Sequence, residues 1–260
     1  MNELHSKWRT AELAKTFLEG VRGAIPAASL QLEVLGKIVS EWCPSPREIL
    51  DLGCGDGVLG RTLLASHPAT HVTFADFSEP MLEAAKKQIG HNQRATVVKA
   101  DFTTPAWVKA LGTKRPIDII VSGFAIHHQT DNRKKELYSE IYGLLREDGI
   151  FLNLEHVSSA TPSGSTLFDS FFVDHLLRFH TDTSPNKTRC EIEENYYRRP
   201  DKEENILASV EMQCEWLRDI GFQDVDCFFK VFELALFGGR KSSRVSAYSY
   251  EMHSRSDVSL

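Results

Sequence analysis

The sequence is short of the marks of several protein classes. Its five cysteines, Cys43, Cys54, Cys190, Cys214 and Cys227, include no CxxC pair. They are too sparse for the disulfide framework of a small secreted fold. A reducing, cytoplasmic setting with the thiols as buried apolar residues is the expectation. The opening MNELHSKWRT contains acid and no apolar run, so it does not read as a signal peptide. No stretch reaches the roughly 20 apolar residues of a membrane-spanning helix. There is no surplus of positive charge either. A net charge of −6 argues against broad binding to nucleic acid or anionic membrane, while leaving room for a local basic pocket. No internal repeat is visible.

What is present is an ordinary globular composition, with 42% hydrophobic and 25% charged residues among 260, enough for one large α/β domain with a full core. Helical segments are expected over 3–20 and 29–42. In the second, Leu30, Val34, Ile38 and Trp42 recur at helical spacing, with Leu35 and Val39 widening the face. Pro44 and Pro46 then end it. Strands are expected over 48–52, 71–76, 96–100, 117–121 and 150–155. Helices over 58–66, from Ser78 as N-cap through Ile89, and over 133–146 alternate with them, the last closed by Asp148-Gly149. That alternation predicts a parallel sheet with helices on both faces. A long insertion over 157–205 follows, holding an apolar helix over 167–179 and a charged segment over 191–199. A helix over 210–220 then leads to strands over 225–229 and 232–237, with a break near Lys230-Val231. The expected organisation is a single domain over 1–240 with a helical N-terminal cap over 1–44. A Ser-rich, loosely held tail covers 241–260.

The chemistry gathers at residues 51–57, Asp-Leu-Gly-Cys-Gly-Asp-Gly. Glycine there permits a sharp turn and lets a ligand approach without a Cβ in the way. The N–H groups at the following helix start can receive a carboxylate or another anion. A dinucleotide site uses a related turn but wants a glycine where Val58 stands. Asp51, at the strand end, suits the cationic amino-acid end of adenosylmethionine and would repel a pyrophosphate. Asp76 ends the second strand, where an acid can accept both ribose hydroxyls. Asp101 ends the third, placed to accept from an adenine amino group, with Phe77 and Phe102 offering faces to the ring. One strand-end aspartate is more often a cap or turn former; three in register point to a ligand.

Residues 48–57 (EILDLGCGDG), 74–82 (FADFSEPML), 99–102 (KADF) and 118–128 (DIIVSGFAIHH) resemble, in order and spacing, the class I S-adenosylmethionine-dependent methyltransferases of small-molecule type. The likeness covers roughly 45–156, and 216–222 and 232–240 look like that family's last helix and hairpin. The resemblance implies a Rossmann-like, doubly wound seven-stranded mixed sheet with an antiparallel last strand. It also implies S-adenosyl-L-methionine as cofactor, held by Asp51, Gly53, Gly55, Asp76 and Asp101. Cys54, Gly57, Phe77, Met81, Phe102 and Ser122 are expected beside them.

For the transfer itself, His127 and His128 follow the fourth strand at the same rim, and Glu155 and His156 end the fifth. His128, His127 and Glu155 are the candidate catalytic residues, a base being useful if the acceptor is an OH or NH. The bland reading has one histidine packing beneath the cofactor and the other capping a helix. No ligand spacing is fixed, so no metal is expected. The insertion is expected over the strand ends and is longer than a connection needs. Phe172 and His175 of its apolar helix, with Arg199, are the candidate acceptor contacts. The Phe168, Phe171, Phe172, Leu176 and Phe179 stripe reads equally as a lid or as packing, a homodimer face included. Two other readings stand beside methyl transfer to a small molecule. Arg22-Gly-Ala-Ile-Pro26 and Arg198-Arg199 resemble carboxy-S-adenosylmethionine synthases, although Ala28 stands where an aromatic residue is expected. A non-catalytic cofactor-binding partner subunit is the other.

Overall fold

The computed structural model describes residues 10–16, 18, 22–112, 115–183 and 188–242; of the helix expected over 3–20, residues 3–9, 17, 19 and 20 lie outside them, as does the tail beyond 242. In chain order come α1 (Ala11–Thr16), α2 (Ala28–Trp42), β1 (Glu48–Leu52), α3 (Val58–Ser66) and β2 (His71–Asp76). Then follow α4 (Glu79–Ile89), β3 (Ala95–Lys99), α5 (Trp107–Ala110), β4 (Ile117–Gly123), α6 (Asp131–Leu144) and β5 (Leu145–His156). The chain closes with α7 (Pro162–Thr183), α8 (Arg189–Tyr197), α9 (Val210–Ile220), β6 (Gln223–Val231) and β7 (Leu234–Arg240).

The strands form one seven-stranded sheet in the order β3-β2-β1-β4-β5-β7-β6. β1 to β5 are parallel and β7 runs antiparallel to both neighbours. The sheet is covered on both faces, which is why β1 and β4 are buried at nearly every position rather than at alternate ones. One face packs Leu50, Ile120, Phe151 and Phe237 against Leu137, Tyr138 and Ile141 of α6 and Leu217 of α9. The other packs Ile49, Val121 and Leu152 against Leu35 and Val39 of α2 and Leu59 and Leu63 of α3. Each such fully buried side chain contributes about 1.5–3 kcal/mol.

Several boundaries differ from the sequence reading, each for a local reason. The buried face of α2 is Gln31, Leu35 and Val39, and Leu30 is 48% exposed, so the helix is rotated from the expected face. Ser78 takes the N-cap position of α4 with extended backbone but no side-chain cap bond. The helix expected to run to Arg146 ends at Leu144, and β5 has already begun at Leu145, opposite Ile117. Asp148, at φ +60, lies in an irregular stretch of that strand and does not cap the helix. The β6–β7 turn falls at Phe232-Glu233, with Phe232 at φ +50, not at Lys230-Val231. Phe168, Phe172 and Leu176 of α7 pack with Ile192 and Tyr196 of α8, Leu234 and Ala24 in a separate small core. That part of the stripe is interior packing. Among the described residues no helix is long and apolar enough to cross a membrane.

Candidate active site

A cleft opens at the carboxyl ends of the parallel strands, the place where an open α/β sheet presents its loops to a ligand. β1 brings Asp51 and the turn Gly53, Cys54 and Gly55 to its wall. β2 and the start of α4 bring Asp76, Phe77, Ser78 and Met81, and the loop after β3 brings Asp101, Phe102 and Thr103. Gly123 at the end of β4 and Phe124, Ala125, His128 and Gln129 from the segment after it complete that side. The far wall is Ile25, Ala28, Gln31 and Leu32, from the short turn before α2 and its first two turns.

The three glycines of the turn do different work. Gly53 has φ +65, and a Cβ there would lie 2.3 Å from the Ala125 Cβ. Gly55, at φ +55, faces open space, leaving its backbone bare to the cleft. Gly57 is buried against the Phe74 ring, 3.0 Å from where its Cβ would stand, and does not line the cleft. Ser122 is likewise fully buried and away from the lining.

Backbone donors hold the strand-end acids. Asp51 Oδ2 accepts from Gly60 N at 2.8 Å. Asp76 Oδ2 accepts from Gly55 N at 2.9 Å, and its Oδ1 from Ser78 N at 2.8 Å. Asp101 Oδ1 accepts from Thr103 N at 3.0 Å. Burial raises the Asp76 carboxyl above its ordinary range, against those backbone donors, and nearby Asp101 adds to the rise. The same field acts on Cys54: burial, then the charges of Asp51, Asp76 and Asp56, push its thiol far up. Cys54 is therefore a neutral wall of the cleft and no nucleophile.

His128 is buried, lines the cleft, and makes a 3.3 Å contact from Nδ1 to the Glu204 carbonyl. A carbonyl accepts and cannot donate, so that contact puts the proton on Nδ1 and the lone pair on Nε2. The His127 ring lies 4.0 Å from it, centroid to centroid, and its Nδ1 is 2.5 Å from Glu155 Oε1. Glu155 is fully buried, and burial pushes its carboxyl up to about 7 against the His156 N–H and the charges of His128, Lys134 and His156. A second pair stands alongside, with His156 Nε2 2.9 Å from Glu233 Oε2. Burial alone would raise Glu233, but His156 and the Ser159 and Ser165 hydroxyls outweigh it and hold its carboxyl down. His127 and His156, 5.7 Å apart by ring centroid, join the two pairs. His127, Glu155, His156 and Glu233 stand behind the cleft wall; His128 faces into the cleft.

Of the expected acceptor contacts, none lines the cleft. Phe172 stacks on Tyr196 in the small core, His175 packs edge-on against Phe171, and Arg199 lies 4.8 Å over the Tyr196 ring. The far wall went unread in the sequence. Gln31 carried the one available signal, a polar residue on the same helical face as Leu35 and Val39. It is 2% exposed and donates to the Pro26 carbonyl at 2.8 Å. Phe124 gave no such sign, yet it sits at φ +52 in the cleft wall, a strained backbone of the kind that collects at functional sites. Among the described residues no group of three or more His, Cys, Asp or Glu could hold a metal ion.

Residues 50–151 match the family described as "Methyltransferase domain". Carboxy-S-adenosyl-L-methionine synthase of Aeromonas hydrophila is 24% identical over 240 residues, covering 89% of each chain. Demethylmenaquinone methyltransferase of Leptospira interrogans is 32% identical over 125 residues, 48% of this chain and 49% of that one. Human N-acetylserotonin methyltransferase, solved in complex with S-adenosylmethionine, superposes with a TM-score of 0.60 at 16% identity, covering 93% of this chain and 60% of the longer human one. The fold is that of the class I methyltransferases.

Proposed function

We propose that the chain, a class I adenosylmethionine-dependent methyltransferase by its matched domain and its sheet, binds S-adenosyl-L-methionine in the cleft and transfers its methyl group to a small-molecule acceptor. The observation that carries this reading is the convergence of Asp51, Asp76 and Asp101 with the bare Gly53–Gly55 turn on one cleft. In it Asp76 accepts the ribose hydroxyls, Asp101 the adenine amino group, and Asp51 faces the ammonium end of the methionine. Cys54, Phe77, Met81 and Phe102 give the apolar walls, and Gly57 and Ser122 serve as packing beneath them.

Methyl transfer from a sulfonium is an in-line displacement. The acceptor atom forms its bond to the methyl carbon as the carbon–sulfur bond breaks, and the electron pair returns to sulfur. The protein therefore aligns the acceptor and excludes water. The apolar far wall of Ile25, Ala28 and Leu32 performs both tasks. His128 Nε2 takes the proton of an OH or NH acceptor, and His127, backed by Glu155, steadies the charge that this places on His128. Calorimetry with S-adenosylmethionine, followed by detection of S-adenosylhomocysteine with a panel of hydroxyl and amine acceptors, tests this. Absence of cofactor binding overturns it.

A second reading is favoured by one observation, the 89% end-to-end coverage shared with carboxy-S-adenosyl-L-methionine synthase. Of the arginines that suggested it, Arg198 pairs with Glu194 at 2.6 Å and Arg199 packs on Tyr196, both away from the cleft, which weighs toward methyl transfer. Mass spectrometry of the ligand that co-purifies separates the two: a cofactor heavier by one carboxyl group selects the second.

A further inference from the structure

We propose that Arg133 is a positioning residue that sets the cleft's selectivity for adenine, acting through the Asp101–Thr103 loop. This rests on the adenosylmethionine reading above. The loop follows β3, the edge strand of the sheet, so no further strand braces its outer side. It nevertheless has to hold the Asp101 carboxylate and the Phe102 ring in register with a base. Arg133, in the first turn of α6 and 8% exposed, supplies the brace: its Nε donates to the Phe102 carbonyl at 2.9 Å. The rest of its guanidinium forks onto Glu140, at 2.8 Å from Nη1 and 2.7 Å from Nη2, with Nη1 also reaching Glu136 at 3.2 Å. Trp107 of α5, 1% exposed, donates to the same Glu140 at 2.5 Å. The loop is thereby clamped from both its own following helix and α6.

The clamp is geometric. Two parallel bonds to Glu140 fix the guanidinium plane, and that plane aims Nε at the Phe102 carbonyl; an ammonium has no such fork. α6 also follows directly on the turn that brings His128 and Gln129 to the cleft, with Thr130 as its N-cap. One helix end thus places the candidate base and grips the base-reading loop. Adenine offers its 6-amino group to Asp101, whereas hypoxanthine presents an oxygen there, so the preference between them reports how well the loop is held.

The test is calorimetry of S-adenosylhomocysteine and its hypoxanthine counterpart, S-inosylhomocysteine, on the wild type and on Arg133→Lys, Arg133→Gln and Glu140→Gln. The wild type is expected to prefer the adenosyl ligand by at least about tenfold. Both Arg133 variants should lose most of that preference through weaker adenosyl binding, with inosyl binding unchanged, and Glu140→Gln should fall between. Folded Arg133 variants that keep the wild-type preference overturn the proposal. Should those variants fail to fold, Glu140→Gln, which keeps an acceptor for Trp107, decides in the same way. A wild type that binds both ligands equally overturns this inference alone, and one that binds neither overturns the cofactor reading with it.

Discussion

The two ends of the parallel sheet carry carboxylates in different company. At the amino end Asp118 accepts from the backbone N–H groups of Arg47 and Glu48 at 3.0 and 2.8 Å and from the Arg146 guanidinium. Burial alone would raise its carboxyl, but Arg146 and the two N–H groups outweigh burial and hold it below its ordinary range. At the carboxyl end Asp76 has backbone donors, and burial wins, leaving its carboxyl raised. The first acid ties three parts of the chain together. The second is held in shape at a cost in stability, as groups reserved for a ligand often are.

Four substitutions sharpen or break this contrast. The largest effect is expected at the cleft: His128→Ala should lower turnover by about 100-fold or more in steady-state kinetics, with cofactor affinity close to wild type. Glu155→Gln comes next. The Glu155 carboxyl sits near 7 in the folded chain against an ordinary 4.5, so the unfolded chain releases a proton between those values that the folded chain keeps. Wild-type stability therefore falls across that window through this group, by up to about 3 kcal/mol above it. The glutamine variant should gain on the wild type as pH rises from 4 to 8 in urea titrations; a constant gap over that range breaks the assignment. Asp118→Ala should cost about 2–3 kcal/mol, allowing for the partial exposure of Arg146, while the folded fraction binds cofactor as before. Asp76→Asn should do the reverse, weakening cofactor binding by about 1–2 kcal/mol by calorimetry with the unfolding midpoint nearly unchanged. If the last two exchange their signatures, the two ends of the sheet are not specialised in this way.

The same contrast governs what was readable in the sequence. The strand-end acids and the glycine turn were legible because local chemistry forces them: sharp turns need glycine, and strands alternating with helices leave only a handful of topologies. The bounds of α9 came through unchanged, since Ser209 caps its start through Met212 N and Gly221 ends it in the left-handed region. Legibility failed wherever tertiary contacts choose among locally equal options. Asp148-Gly149 reads as a helix stop, yet the chain has already joined β4 at Leu145, ahead of it. Phe232 carries a left-handed turn that glycine or asparagine normally signals, so the hairpin tip was misplaced. Phe172 looked like a ligand contact because an apolar stripe does not say what it faces, and α8 and Leu234 claim it. The far wall depends on the rotation of α2 about its axis, which Leu30 and Leu35 leave open when both are leucine.

The position of β7 bears on how the chain is made. It is the last of the described strands to leave a ribosome, yet it lies between β5 and β6 in the finished sheet. Until residue 240 has emerged, β5 presents a bare hydrogen-bonding edge beside a nearly complete hydrophobic layer, and β6 has no partner. A stalled or shortened product would be a template for self-association rather than a smaller working domain.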